Sequence, residues 1–346
     1  MQIDKAPDTT VLINNIAYLY FSGTSYLGVA TLPEFQEIIF GNIKNWGSSF
    51  GSSRNANIKL SVYKKAEDFL SNFLKSEDCV TVSSGTFSGL LAISTLEKMV
   101  DTFFYMPKTH PAILPKKAKP VFKNNRLHSL LQNSKKETLC IVVDGIAALE
   151  TTPFNFDFLH KISSDKKIFL VIDESHSLGV LGENGSGIST KIKVSDQIEM
   201  IRVSSFTKAF GLNGGVIAGS KKFINFIKHN PLFIGSAPMN PAFLQSFLDA
   251  QELYYNQLKK LQYNCKYVYD ALKDLENITI SENYPVFFID NEYIADELLL
   301  HHIIITSFYY PTSSKKINRI VLNANHTTPQ LNFLIKSLKN LSAKNN

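Results

Sequence analysis

Lysine 208 stands in the run Ser204-Ser205-Phe206-Thr207-Lys208, and Gly211, Gly214 and Gly215 follow it closely. A lysine taken alone is ordinarily a solvated surface charge. Hydroxyls before it and glycines after it change that reading, because such a loop is suited to hold an anion beside the amine. A second group is Asp173-Glu174-Ser175-His176, directly after the apolar run Ile168 to Ile172. A carboxylate there can simply cap the next loop. Its chemical reading is an ion pair with a protonated heterocycle nitrogen, with His176 reaching the same ring from the side. The third is Ser83-Ser84-Gly85-Thr86, ahead of Leu90-Leu91-Ala92-Ile93. Serine-glycine turns are common, yet free N–H groups at a helix start are also a phosphate cradle.

These groups need a scaffold that brings strand ends together. Short apolar runs at Cys79–Val82, Phe103–Met106, Leu139–Val143, Ile168–Ile172, Met200–Val203 and Val216–Ala218 predict buried strands, most of them separated by segments with helical spacing. That alternation predicts an α/β fold, a mostly parallel sheet with helices on both faces. Ligands of such sheets sit at the carboxyl ends of the strands, where the polar groups above fall. Past residue 240 the pattern changes to a long helical stretch from Pro241 to about Leu275. Strands at Val286–Ile289, Ile303–Ile305 and Arg319–Leu322 come next, then a closing helix with Thr328 as N-cap and Pro329 in its first turn. The expected organisation is an N-terminal segment (1–25), a large domain (26–240) and a smaller α+β domain (241–346).

Composition sets outer limits. With 346 residues, 44% hydrophobic and 19% charged, the chain has the make-up of an ordinary globular protein. It has no apolar run of membrane-spanning length and no evident signal peptide. Cys79, Cys140 and Cys265 fit no metal or redox spacing, so free thiols in a reducing cytoplasm are expected. The net charge of +6 includes clusters at Lys116-Lys117-Ala118-Lys119 and Lys315-Lys316. Such clusters are usually a solvated face; the sharper reading is attraction of an anionic ligand such as a coenzyme A phosphate or an acidic carrier protein. No nucleic-acid motif accompanies them.

The stretches "DESHSLGVLGENGSG" (173–187) and "SSFTKAFGLNGGVIAGS" (204–220) resemble those of the α-oxoamine synthases, pyridoxal 5′-phosphate (PLP) enzymes of fold type I. Shorter similarities are Tyr26-Leu27-Gly28, Gly51-Ser52-Ser53-Arg54, Arg319-Ile320 and Ala324-Asn325-His326-Thr327. The resemblance implies that Lys208 holds PLP as a Schiff base and moves the substrate α-proton. It implies that Asp173 keeps the pyridine nitrogen protonated, that His176 lies beside the phenolic oxygen, and that His110 stacks on the ring. Ser84, Gly85, Thr86 and Ser205 would take the phosphate, with Ser236 contributed across a homodimer that shares its active sites. Arg319 would take the amino-acid carboxylate, and Thr24 stands where the family has a second, asparagine donor. Further departures fall at Ala148, Asp144, Asn124-Asn125-Arg126, Ser186 and Gly89. The implied reaction is decarboxylative condensation of a small amino acid with an acyl thioester of coenzyme A or acyl carrier protein. The alternatives are a PLP-dependent aminotransferase or lyase, and a non-catalytic PLP-binding dimer.

Overall fold

The computed structural model describes residues 1–309 and 316–344, so Lys315 of the second lysine cluster lies outside the described residues. The larger sheet has seven strands in the order Asp78–Val82, Gly215–Gly219, Ile198–Ser205, Lys166–Asp173, Glu137–Asp144, Thr102–Tyr105 and Lys119–Pro120. All neighbouring pairs are parallel except those made by Gly215–Gly219, which runs antiparallel to both its neighbours. The central strands are buried on both faces, as near-continuous runs such as Leu139–Val143 require. The sheet is therefore mostly parallel, as expected, and all six apolar runs lie in it.

A second sheet has six strands, in the order Thr10–Ile13, Ile16–Phe21, Ile303–Tyr309, Lys316–Val321, Val286–Ile289 and Ile278–Thr279. Leu19 registers with Ile303 and Phe21 with Ile305, so the chain's first strands join a sheet built from its last third. Strands of the N-terminal segment therefore belong to this sheet. Its hairpin turns through Asn14 and Asn15, both at positive φ, a conformation asparagine tolerates better than other side chains. We propose that the smaller unit comprises both chain ends.

The expected long helix from Pro241 is two helices, Pro241–Asp249 and Gln251–Leu272, broken at Ala250. The first packs on Pro33–Trp46 and Ser61–Phe73 through Leu244 and Phe247, which are buried, and belongs with the helices of the larger sheet. The closing helix, Thr328–Lys344, starts one position earlier than its sequence suggested. Thr327 occupies the cap: its N–H donates to Gln330 Oε1 (2.9 Å) and its carbonyl accepts from Leu331 N (3.0 Å). One apolar core runs from Phe21 and Phe35 through Phe206 and Phe247 to Leu338, tying the two sheets together. All three cysteines are buried free thiols, and burial pushes each well above its usual range. Among the described residues no helix is long and apolar enough to cross a membrane, and no cluster of metal-ligating side chains occurs.

Candidate active site

The chemical groups converge at the carboxyl edge of the larger sheet. Asp173 is the last residue of Lys166–Asp173, with Val203 beside it on one neighbouring strand and Asp144 on the other. Its Oδ1 accepts from Ser175 N at 2.8 Å, which turns the chain sharply toward His176. Ser175 in turn accepts from Ser205 N at 3.0 Å through its hydroxyl, binding the two strand ends together. Lys208 follows in the loop after Ser205. Burial lowers its pKa from the usual lysine value and the Arg319 cation lowers it further, while the Asp173 and Asp144 carboxylates oppose the change. A larger fraction of neutral amine, the nucleophilic form, is the result.

The phosphate-type cradle is assembled by close packing. Ser84 caps the helix Gly85–Leu96, its hydroxyl accepting from Phe87 N at 3.1 Å. Gly85 lies against the end of the next-but-one strand: a Cβ there would sit 2.4 Å from that of Ser205. Any side chain at 85 would push the helix start away from Ser205. Thr86 is exposed in the first helical turn, and the Ser205 hydroxyl accepts from Thr207 N at 3.2 Å. Gly89, a departure from the family pattern, has a packing reason. A Cβ would meet the carbonyl oxygen of Ala112 at 2.7 Å, so the loop carrying His110 packs directly on the helix where a side chain would otherwise stand.

Two groups come from the six-stranded sheet and its flanks. Arg319 sits on Lys316–Val321 between Phe288 and Thr306, and its Nε is buried with no hydrogen-bond partner among the described residues. Its charge is felt at Lys208, His176 and Tyr26, which puts it at the same site. The Tyr26 hydroxyl hydrogen-bonds His176 Nδ1 at 2.7 Å and also bonds Tyr284. Burial pushes Tyr26 up to about 12 and drives His176 well below the ordinary histidine value, so the chain Tyr284–Tyr26–His176 is neutral near pH 7. Thr24 lies just before this chain, its carbonyl accepting from Tyr26 N at 2.9 Å.

Asp144 is the residue that sequence reasoning undervalued. It follows the run Leu139–Val143 just as Asp173 follows its own, and the same rule would have found it. Its Oδ2 accepts from the His110 backbone N–H at 2.9 Å, while Oδ1 is buried without a partner. Burial, with the neighbouring Asp173 charge, pushes the carboxyl up to about 8. Two adjacent carboxyl groups in a poorly solvated edge cannot both ionise cheaply, and Asp144, the more deeply buried by its neighbours, is the one that keeps its proton near pH 7. His110 is exposed, and its Nδ1 accepts from Ala112 N at 3.2 Å. Tyr284 had no sequence signal. Ser236 is not brought to the Lys208 group by any described contact; its hydroxyl donates to Phe233 O at 3.3 Å.

An unfolded aspartate titrates near 3.9, whereas folded Asp144 titrates about four units higher. Its contribution to stability is full below about pH 4 and is lost as pH rises through 8. Asp144→Asn should therefore raise the melting temperature of the ligand-free protein by an amount that grows from pH 5 to pH 8, reaching on the order of 5 °C. Calorimetry across that range checks this. An effect equal at both pH values would place the buried proton elsewhere.

Comparison with known proteins gives this edge a lineage. The profile described as aminotransferase class I and II matches residues 48–338. The chain belongs to the aminotransferase class I and II family. Within that family it falls among the α-oxoamine synthases. It is 26% identical to the 8-amino-7-oxononanoate synthase of Petrotoga mobilis, over 98% of this chain and 92% of that protein. It is 27% identical to the serine palmitoyltransferase of Sphingobacterium spiritivorum, over 97% of this chain and 89% of that protein. In structure it is similar to the serine palmitoyltransferase of Sphingomonas wittichii, with a TM-score of 0.84 at 18% identity, covering 99% of this chain and 92% of that one.

Proposed function

We propose that the protein is a PLP-dependent acyltransferase that condenses a small amino acid with an acyl thioester, with loss of carbon dioxide. The observation that carries this reading is the order of groups along one sheet edge. The Ser84–Thr86 helix start lies at one side, Ser205 and Lys208 follow, then Asp173, then Asp144 and His110. That order runs from a phosphate cradle through the amine to the carboxylate that would face the ring nitrogen, as the cofactor's groups require. The fit is supported by two features: the cradle at Gly85, which a Cβ would fill, and the unpartnered buried oxygen Asp144 Oδ1. When bound, PLP supplies a conjugated ring that accepts the electron pair released at the substrate α-carbon.

The chain's own residues do the rest. Ser84, Thr86 and Ser205, with the helix N–H groups, hold the phosphate. Asp173, beside Asp144, would face the ring nitrogen and hold a proton on it. Neutral His176, fixed by Tyr26, presents its ring to the phenolic side, and His110 covers the face. Lys208, returned to its free amine, takes the α-proton; its lowered pKa suits a base working near neutrality. Arg319 binds the amino-acid carboxylate through its planar guanidinium, and Thr24 lines the same end.

Arg319→Lys should raise the KM for the amino acid by roughly 10- to 100-fold, since a charge-assisted pair of hydrogen bonds becomes a single one. The affinity for PLP should be unchanged. A fall in PLP affinity with normal amino-acid KM would move Arg319 out of the substrate site.

The active unit is a homodimer in which Ser236 reaches the partner's phosphate. Phe226, Leu232 and Ile234, close to Ser236 in the chain, are each more than two-fifths exposed, which supports a covered surface there. Sedimentation of the PLP-loaded protein tests it, an active monomer being the contrary result. Buried, unpaired thiols support a reducing cytoplasm. Thiol released from an acyl thioester only when amino acid and PLP are both present tests the reaction. Conversion of PLP to pyridoxamine phosphate with no thiol released would favour the aminotransferase reading instead.

A further inference from the structure

Two buried tyrosine hydroxyls beside His176 have few places to send their protons. Tyr26 is fully buried and Tyr284 is 4% exposed, so each O–H needs an acceptor inside the protein. The Tyr26 hydroxyl meets His176 Nδ1 at 2.7 Å, with the ring planes 60° apart and the centroids separated by 6.3 Å. Its other partner is Tyr284. Among the described residues the Tyr284 hydroxyl has no further hydrogen bond, so it donates to the Tyr26 oxygen. Tyr26 is then left to donate its own O–H to His176 Nδ1. The reverse order, with Nδ1–H donating to Tyr26 and Tyr26 to Tyr284, would strand the Tyr284 proton in the interior. His176 follows the strand Lys166–Asp173 of the seven-stranded sheet, while Tyr26 and Tyr284 flank Ile16–Phe21 and Val286–Ile289 of the six-stranded one. The hydrogen-bond chain is complete only when both sheets are in place.

A neutral imidazole carries one proton, and with Nδ1 accepting, that proton stands on Nε2. Burial, and after it the cations of Lys208 and Arg319 and the neighbouring His110, keeps His176 neutral. Nε2 bonds no described residue, and His176 is half-buried where Tyr26 and Tyr284 are buried. The nitrogen left open to the site is therefore a donor. A donor suits the electron-rich phenolic oxygen that the functional reading puts beside this ring. The other tautomer would aim a lone pair at that oxygen and repel it. We propose that Tyr26, held by Tyr284, is a positioning residue of the condensation: the pair fixes His176 with its proton on Nε2, as a donor to the cofactor's phenolic oxygen. The proposal rests on the condensation reading above.

Nitrogen NMR of isotope-labelled histidine in the ligand-free protein reads the tautomer directly, with His176 assigned by the signals lost in His176→Gln. Wild-type protein near neutral pH should show a protonated Nε2 and a bare, hydrogen-bonded Nδ1. Tyr26→Phe keeps the ring and removes the hydroxyl. Its two His176 signals should move toward each other as the second tautomer gains population. Turnover by the PLP-loaded variant should fall about 3- to 10-fold with the amino-acid KM within about twofold, the effect of one buried hydrogen bond acting through His176. Tyr284→Phe should move the same signals the same way by less. A wild-type His176 protonated on Nδ1 would overturn the proposal even if neither variant folds. So would His176 signals unmoved in both variants while turnover falls only in step with melting temperature, the mark of a merely structural pair. Either result leaves the condensation reading standing so long as the wild type releases thiol and carbon dioxide. Wild-type protein that binds PLP but releases thiol from no donor would overturn that reading, and the role of the pair in condensation with it.

Discussion

Lys208→Ala should lose covalent attachment of PLP entirely and lower turnover by about 10³-fold or more, because it removes both the anchoring amine and the base for the α-proton. Borohydride reduction followed by mass spectrometry reads the first effect. Wild-type protein should gain one reduced cofactor on the peptide containing Lys208, and the variant should gain none. Folding is not at risk, since Lys208 forms no hydrogen bond or ion pair with any described residue that its removal would orphan. Attachment to another lysine in the wild type would contradict the geometry. Ser205, Ser175 and Asp173 leave the Lys208 loop facing the sheet edge.

Asp173→Asn should cost about 10²- to 10³-fold in turnover, of the order seen when a single electrostatic partner of a reacting system is removed. An amide is nearly isosteric, so Ser175 N should keep an acceptor and the turn to His176 should persist. What changes is the charge next to Asp144. With the neighbour neutral, a main reason for the raised Asp144 pKa disappears, although its burial remains. The pH dependence of the bound cofactor's visible absorbance should therefore shift as well as the rate. A variant with reduced rate but an unshifted pH profile would make Asp173 a structural cap only.

Much of this was legible in the sequence because strand ends carry simple signals. Uninterrupted apolar runs predicted six strands of the larger sheet, and polar residues at their ends marked Asp173 and the Lys208 loop. Asp144 obeyed the same rule but was read only as a departure from a family pattern, which obscured its place beside Asp173. The N-terminal hairpin was not visible, since Ile16–Phe21 gains its partner nearly 300 residues later in Ile303–Tyr309. Pairing at that separation leaves no local pattern. Tyr284 meets Tyr26 only once strands distant in the chain assemble into the six-stranded sheet, so neither spacing nor composition points to it. The break at Ala250 escaped notice because alanine is an excellent helix former, yet its backbone there leaves helical angles (φ −94°, ψ 14°).

The central claim is that PLP on Lys208 serves carbon–carbon bond formation from a thioester. Its most direct test follows thiol and carbon dioxide together, using PLP-loaded protein with a panel of small amino acids, each labelled in its carboxyl group, and an acyl thioester. The expected result, with at least one amino acid, is release of both products in equal amounts, abolished by Lys208→Ala. Thiol released without carbon dioxide, or carbon dioxide released at the same rate without the thioester, would contradict it.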